Sequence, residues 1–574
     1  MNVRFLVIFI LLSCFAFASV TTAAVVEPKQ VYTYAKMERD IERLANTYPD
    51  LVRYEVIGKS EYGRNIYAIS LGKGNSTIFV NGSHHAREWL TTNLNLYMLE
   101  QYAQAYRSNR SYDGGRYPLR SILNNTTIWF VPMINPDGVE LQQNGLSSFP
   151  AKDHAALIAM NNGSRDFKRW KANGKGVDLN RQYDANWSTI RNNTGKPSFA
   201  NYKGPSPHSS SETKAIVDFT KRIDPEMAVN YHSSGEILFW NFLQSGSQFQ
   251  RDLSYATQIG RMTGYRLIPG GSNPSGGGMT DWFIQDYKRP AFTPELGRYV
   301  GATNLPLSAF DRAWKQNRYV PLYVAKEGHK LYLNRLRDVA QREVAKAEDI
   351  ASKLTTYYIV PTPADVKLSP EFEETYLDAN LAISKAASTV RQLNSGSLKR
   401  HLTERIERTV ELRRRATVMI RAINRGELLL TRYDDLVVAL KEGEVTDEVT
   451  AAYEQMLVEV TRTEDAIERI IGVGNRRIVT QAYVELPKAT EQSLLLVFKR
   501  NELLKELEAK LEEELIEEVG GLFEQLAAFH IEPVEPIKAL VLQLEEKELE
   551  LEEAYINLID NRVLQYEEED LAQF

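Results

Sequence analysis

Cysteine is almost missing. Cys14 is the only one in 574 residues, and it lies in an apolar stretch at the N-terminus. The remaining chain therefore has neither a disulfide framework nor thiol chemistry, and a metal bound there must be held by His, Asp or Glu. A strong excess of one charge is missing too. Lys and Arg number 69 against 75 Asp and Glu, for a net charge of −6, which gives no reason to expect nucleic acid or an anionic membrane as partner. Beyond the N-terminus no apolar run approaches the roughly 20 residues that a spanning helix needs. No strict internal repeat is present. What remains is ordinary globular composition, 43% apolar and 25% charged, in a chain too long for one core, so two or more domains are expected.

The N-terminus "MNVRFLVIFILLSCFAFASVTTAAVVEP" has one early Arg4, an apolar run from Phe5 to Ala18 and small residues after it. This is the pattern of a secretory signal peptide, assigned to residues 1–24, and it predicts a secreted protein. Cleavage after Ala18 ("AFA") and after Ala24 ("TAA") both fit the small-residue rule, and Ala24 is preferred.

Two textures follow. Residues 30–335 hold short apolar runs that end in turn residues, such as "STIFVNG", "TTIWFVPMINPDG" and "EMAVNYHSSG", with helical stretches such as "LTTNLNLYMLEQYAQAY" between them. Strands alternating with helices predict an α/β domain whose function sits in loops at strand ends. Residues 336–574 are poor in Gly and Pro after the break "YYIVPTPADVKLSP" and rich in Leu, Glu, Arg, Lys and Ala. They read as an all-α bundle or coiled-coil-like domain. In "NELLKELEAKLEEELIEEVGG" Leu504, Leu507, Leu511, Leu515 and Val519 fall on one face, and Gly520 and Gly521 are expected to stop the helix.

The chemistry concentrates in "HHAREW", His84 to Trp89. His85 and Glu88 stand at i and i+3, a spacing that lets both side chains reach one ion, while His84 stands at i+4 from Glu88 and spacing alone does not exclude it. His232, after the strand-like "EMAVNY", would complete a His/Glu/His set with one open position, a set that suits zinc.

"HHAREW", "INPDG", "RWKANGKGVDLNRQYD", "YHSSGEILFW", "SNPSGGGMTDW" and "FTPELG" occur in the order found in zinc carboxypeptidases. The chain resembles the carboxypeptidase A family over residues 30 to 330. The resemblance implies a mixed, twisted eight-stranded sheet flanked by helices, one zinc ion, and His85, Glu88 and His232 as its ligands. It implies Glu295 as the catalytic glutamate, Arg87 as a substrate contact, and Asn180 with Arg181 as the pair that holds a substrate carboxylate. Arg suits that task because its planar fork grips both oxygens.

The sequence departs from the digestive members of the family at three places. Lys171 stands where they have an arginine, so oxyanion stabilisation is assigned to Lys171 as a point charge, with Arg87 sharing it. Asn273 stands where they have a mobile tyrosine. Thr280 stands at the side-chain selectivity position, neither apolar enough for aromatic selection nor acidic enough for strictly basic selection. These features resemble the bacterial γ-D-glutamyl–meso-diaminopimelate peptidases, whose substrate is a peptidoglycan stem peptide with a zwitterionic side chain. A general metallocarboxypeptidase releasing C-terminal residues is the alternative, and a non-catalytic scaffold is a third reading, disfavoured because the ligands and Glu295 are all present. No digestive-type propeptide separates the signal from "VYTYAKMERDIERLANTYP", so the enzyme is expected to be made active. The helical half carries no catalytic cluster and is expected to serve cell-wall attachment or self-association.

Overall fold

The computed structural model describes residues 24–271 and 274–572. The expected signal peptide therefore lies outside the described residues except for Ala24, and so does Asn273. The chain divides into two compact units, the first ending at Asn334 and the second beginning at Arg335.

The first unit is built on a mixed sheet. Its strands are β1 (Val52–Lys59), β2 (Asn65–Leu71) and β3 (Ser76–Asn81), then a separate short hairpin of β4 (Ser111–Tyr112) and β5 (Tyr117–Pro118). They continue with β6 (Thr126–Val131), β7 (Ala228–Asn230), β8 (His232–Ser233), β9 (Ile237–Phe239), β10 (Arg266–Ile268) and β11 (Ala291–Leu296). Eight strands form the order β1-β2-β6-β3-β7-β11-β9-β10, and the two-residue β8 is a ninth that pairs with β11 outside this path. The central strands β6, β3, β7 and β11 run parallel to one another.

The central strands are apolar on both faces because both faces are covered. In β3, Ile78 and Val80 enter one core with Ile69, Ile128 and Val229, while Phe79 enters another with Val131, Ala228 and Trp282. This is the period-two alternation of a strand buried from both sides. On the first face packs the helix α1 (Tyr34–Thr47), capped by Thr33 and burying Met37, Ile41 and Leu44. The helix α2 (Leu90–Arg107) is buried along most of its length. Edge strand β1 is largely exposed, in keeping with its place at the rim.

The second unit is mostly helical and has its own core, which includes Met419, Ile423, Met456, Leu494, Leu504 and Leu507. The glycine stop expected at Gly520 is not where the helix ends. One helix closes at Glu512, and a second, Ile516–Leu526, runs through Gly520 and Gly521. The break falls at Glu514, in the left-handed region with φ 58°. Three consecutive glutamates, Glu512 to Glu514, face the negative end of the helix dipole there. No helix among the described residues is long and apolar enough to cross a membrane.

Candidate metal centre

Parallel strands β3, β7 and β11 bring their C-terminal ends together, and the loops beyond those ends carry the polar side chains. β3 ends at Asn81 and the chain turns into the short helix Ala86–Glu88, with His85 at its N-cap. β7 ends at Asn230, and β8 starts two residues later with His232. Glu295 near the end of β11 is in register with His232.

His85, Glu88 and His232 form the only cluster among the described residues whose donor atoms, within 4.8 Å of one another, could hold a metal ion. His85 Nδ1 lies 2.8 Å from Glu88 Oε1, and His232 Nδ1 lies 2.8 Å from Glu88 Oε2 and 3.1 Å from His85 Nδ1. All three residues are buried. The far nitrogen of His85, Nε2, lies 3.2 Å from Asp178 Oδ1. With that nitrogen donating to the carboxylate, Nδ1 presents a lone pair toward the Glu88 carboxylate. Lone pairs of two imidazoles and a carboxylate converging in a buried space repel unless a cation lies among them, so the donor set fits zinc. Burial, the largest influence, raises Glu88, but His85 and His232 outweigh it and hold the carboxyl well below its usual range. Burial pushes His232 down, toward the neutral form that can act as ligand.

His84 is turned away from this cluster. Its Nε2 lies 2.9 Å from the Tyr183 hydroxyl, and its ring stacks on that of His232 at 5.4 Å between centroids. Asp178 was not singled out in the sequence, although it lies inside the quoted "GVDLNR". Its other oxygen receives Lys171 Nζ at 2.8 Å and the Asn201 amide at 3.1 Å. Burial works against its ionisation, yet Lys171 and His85 hold it well below the usual carboxylate range. Lys171 is thus tied to the carboxylate that orients His85. Arg169 is turned to Asn161 and stacks on Phe199.

Arg87 donates to the Arg169 carbonyl at 3.1 Å, half-buried beside the ligands. Burial, then the negative charge of Glu88, raise the Glu295 carboxyl well above its usual range, with Lys171 and Arg87 acting in the opposite sense. These four side chains therefore share one electrostatic environment. Asn180 and Arg181 lie on the short helix Leu179–Arg181. Asn180 Oδ1 accepts from the Met279 amide at 3.0 Å, and Arg181 Nη1 donates to the Asn180 carbonyl. The glycines of "SGGGM" let their loop lie close against Ala185: a Cβ on Gly276 would stand 1.9 Å from the Ala185 carbonyl, and Gly277 has φ 87°. Asp281, within "SNPSGGGMTDW", is raised by burial to about 7, with Gly278 and Arg181 opposing.

Thr280 is buried and its hydroxyl is committed. It accepts from Asn230 Nδ2 at 2.6 Å and lies 2.6 Å from Thr293 Oγ1, and Asn230 in turn receives Asn81. Thr280 is therefore a neutral side chain backed by a chain of amides and hydroxyls.

Residues 37–320 match the family described as zinc carboxypeptidase, and residues 359–488 match the SbsC C-terminal domain. The chain belongs to the zinc carboxypeptidase family, and its first unit is a zinc metallopeptidase with one zinc site. Among curated relatives, gamma-D-glutamyl-L-diamino acid endopeptidase 1 of Lysinibacillus sphaericus is 35% identical over 296 residues, covering 51% of this chain and 72% of that protein. Human carboxypeptidase B is 27% identical over 277 residues, covering 45% of this chain and 61% of the relative. Among solved structures, that of thrombin activatable fibrinolysis inhibitor aligns with a TM-score of 0.43 at 21% identity, over 53% of this chain and 75% of that one.

Proposed function

We propose that the protein is an exported zinc peptidase that hydrolyses the γ-D-glutamyl–meso-diaminopimelate bond of peptidoglycan stem peptides. One observation carries the reading: a complete His85–Glu88–His232 donor set has Glu295 beside it, and the neutral Thr280 is hydrogen-bonded to Asn230, two residues before His232, and to Thr293, two residues before Glu295. Such a position opposes neither the amine nor the carboxylate of a zwitterionic side chain. The name carried by the Lysinibacillus relative supports the same choice of bond.

The residues divide the work. When bound, zinc supplies Lewis acidity, acidifying water and polarising a carbonyl. His85, Glu88 and His232 hold it, and Asp178 fixes the His85 ring. Arg181 with Asn180 grips a substrate carboxylate. Glu295, whose proton affinity is raised by burial and by Glu88, takes a proton from the attacking water and passes it to the leaving amine. Arg87 stands beside the ligands as the less committed cation for the developing oxyanion, because Lys171 already serves Asp178. The second unit, amphipathic and without a metal-donor cluster among the described residues, is assigned to attachment at the cell wall or to self-association.

The test is hydrolysis of L-Ala-γ-D-Glu-meso-diaminopimelate by zinc-loaded protein. Cleavage at the γ-glutamyl bond is expected, and Glu295→Gln should lower kcat by about 10²- to 10⁴-fold. Release of ordinary C-terminal residues from peptides, with the muropeptide left intact and zinc content confirmed, would move the assignment to a general metallocarboxypeptidase.

A further inference from the structure

Glu100 lies on α2, 0% exposed, with no metal or substrate role. Its two oxygens accept from two successive backbone amides, Oε1 from Val25 at 2.7 Å and Oε2 from Val26 at 2.9 Å. Both oxygens thus face backbone donors of one short segment. Among the described residues no Lys, Arg or His side chain is paired with it. A buried carboxyl with two backbone N–H donors and no cationic side chain beside it is a ready acceptor for a positive nitrogen at the same place.

The segment it grips is built in. Val25 and Val26 are 6% and 2% exposed. Further along the same helix, Asn93 Nδ2 donates to the carbonyls of Pro28 and Gln30, both at 2.8 Å. Ala24, immediately before Val25, is exposed. The chain thus leaves the surface between Ala24 and Val25, at the bond preceded by Thr22 and Ala24, the small residues that leader peptidases accept.

We propose that Glu100 is the receptor for a new N-terminus: a leader peptidase cuts between Ala24 and Val25, and the freed Val25 α-ammonium forms a buried ion pair with Glu100. Hydrolysis adds one water, leaving a carboxylate on Ala24 and an amine on Val25 that takes up a proton. The amide nitrogen already 2.7 Å from Oε1 becomes the charged nitrogen without moving. Leader removal then supplies the missing cation and ties the mature N-terminus to the helix that begins just after Glu88. The inference rests on the export reading for the cut, and on the Glu100 geometry for the pair.

The experiment is to express the whole chain with its own leader in a bacterial secretion host, and to determine the N-terminus of the secreted protein by mass spectrometry. Val25 is expected, and any other first residue overturns the assignment. The α-amine of the folded, zinc-loaded protein is then titrated by competitive acetylation. An ion pair raises its pKa at least one unit above the ordinary value of about 7.7–8.0, whereas burial alone lowers it. Glu100→Gln should remove the increase. A Val25 start with an unshifted or lowered α-amine would leave export standing and overturn the pair. Should Glu100→Gln fail to fold, the wild-type titration still decides between the two signs.

Discussion

At the scale of single residues, the ligand set depends on a carboxylate that is not itself one of the donors. Asp178 is bonded to His85 Nε2 on one oxygen and to Lys171 on the other. Asp178→Asn keeps the shape but weakens the acceptor that fixes the His85 tautomer. Zinc affinity, measured by titration against a competing chelator, should fall by about 10- to 100-fold, with Glu88 and His232 untouched. Unchanged affinity would make Asp178 a structural partner of Lys171 alone. Away from the metal, buried Glu212 gives a pH signature. Its carboxyl is raised by burial, then by Asp137, to about 8. A carboxyl raised in the folded state keeps a proton that the unfolded chain loses. Stability should therefore be full below the unfolded value and fall as pH rises toward 8, at up to about 1.4 kcal/mol per pH unit for one unmatched proton. Denaturant melts between pH 5 and 9 should show that slope, and Glu212→Gln should flatten it.

At the scale of elements, the break between helices Glu485–Glu512 and Ile516–Leu526 has a local cause. Glu514 adopts φ 58°, a conformation that costs an L side chain on the order of 1 kcal/mol and costs glycine almost nothing. Glu514→Gly should therefore stabilise the second unit by on the order of 1 kcal/mol in urea melts. Glu514→Ala keeps the Cβ, and an equal gain from it would trace the effect to charge instead. This break also marks what the sequence made legible. Apolar spacing shows that Leu504, Leu507 and Val519 face a core, and all three are buried. It does not show where the backbone turns, because the local rule that glycines stop helices is overruled by tertiary packing and by a run of glutamates. The catalytic unit behaves alike. "STIFVNG" and "EMAVNY" read as strands because apolar runs bounded by turns have few other uses, and His85 and Glu88 read as partners because i and i+3 is a local relation. Asp178 has no role legible in the sequence because its meaning is non-local: it acquires one only when His85, 93 residues away, is laid against it.

At the scale of the whole molecule, each unit closes a core from its own residues. The second unit's core draws on side chains from Ala351 to Leu544, and the metal donors, Glu295 and Arg181 all precede Asn334. Folding is driven by burial of apolar surface, so a stretch that contains all the members of its own core needs nothing from elsewhere to collapse. A chain of residues 335–574 alone should therefore give a strongly helical circular dichroism spectrum and one cooperative urea transition. Its slope should scale with the surface those helices bury. It should hydrolyse no peptide and hold no zinc at the affinity of the whole chain, since no donor set lies within it among the described residues. A gradual, non-cooperative transition with dye-accessible apolar surface would show instead that the helical unit depends on the catalytic one for its fold.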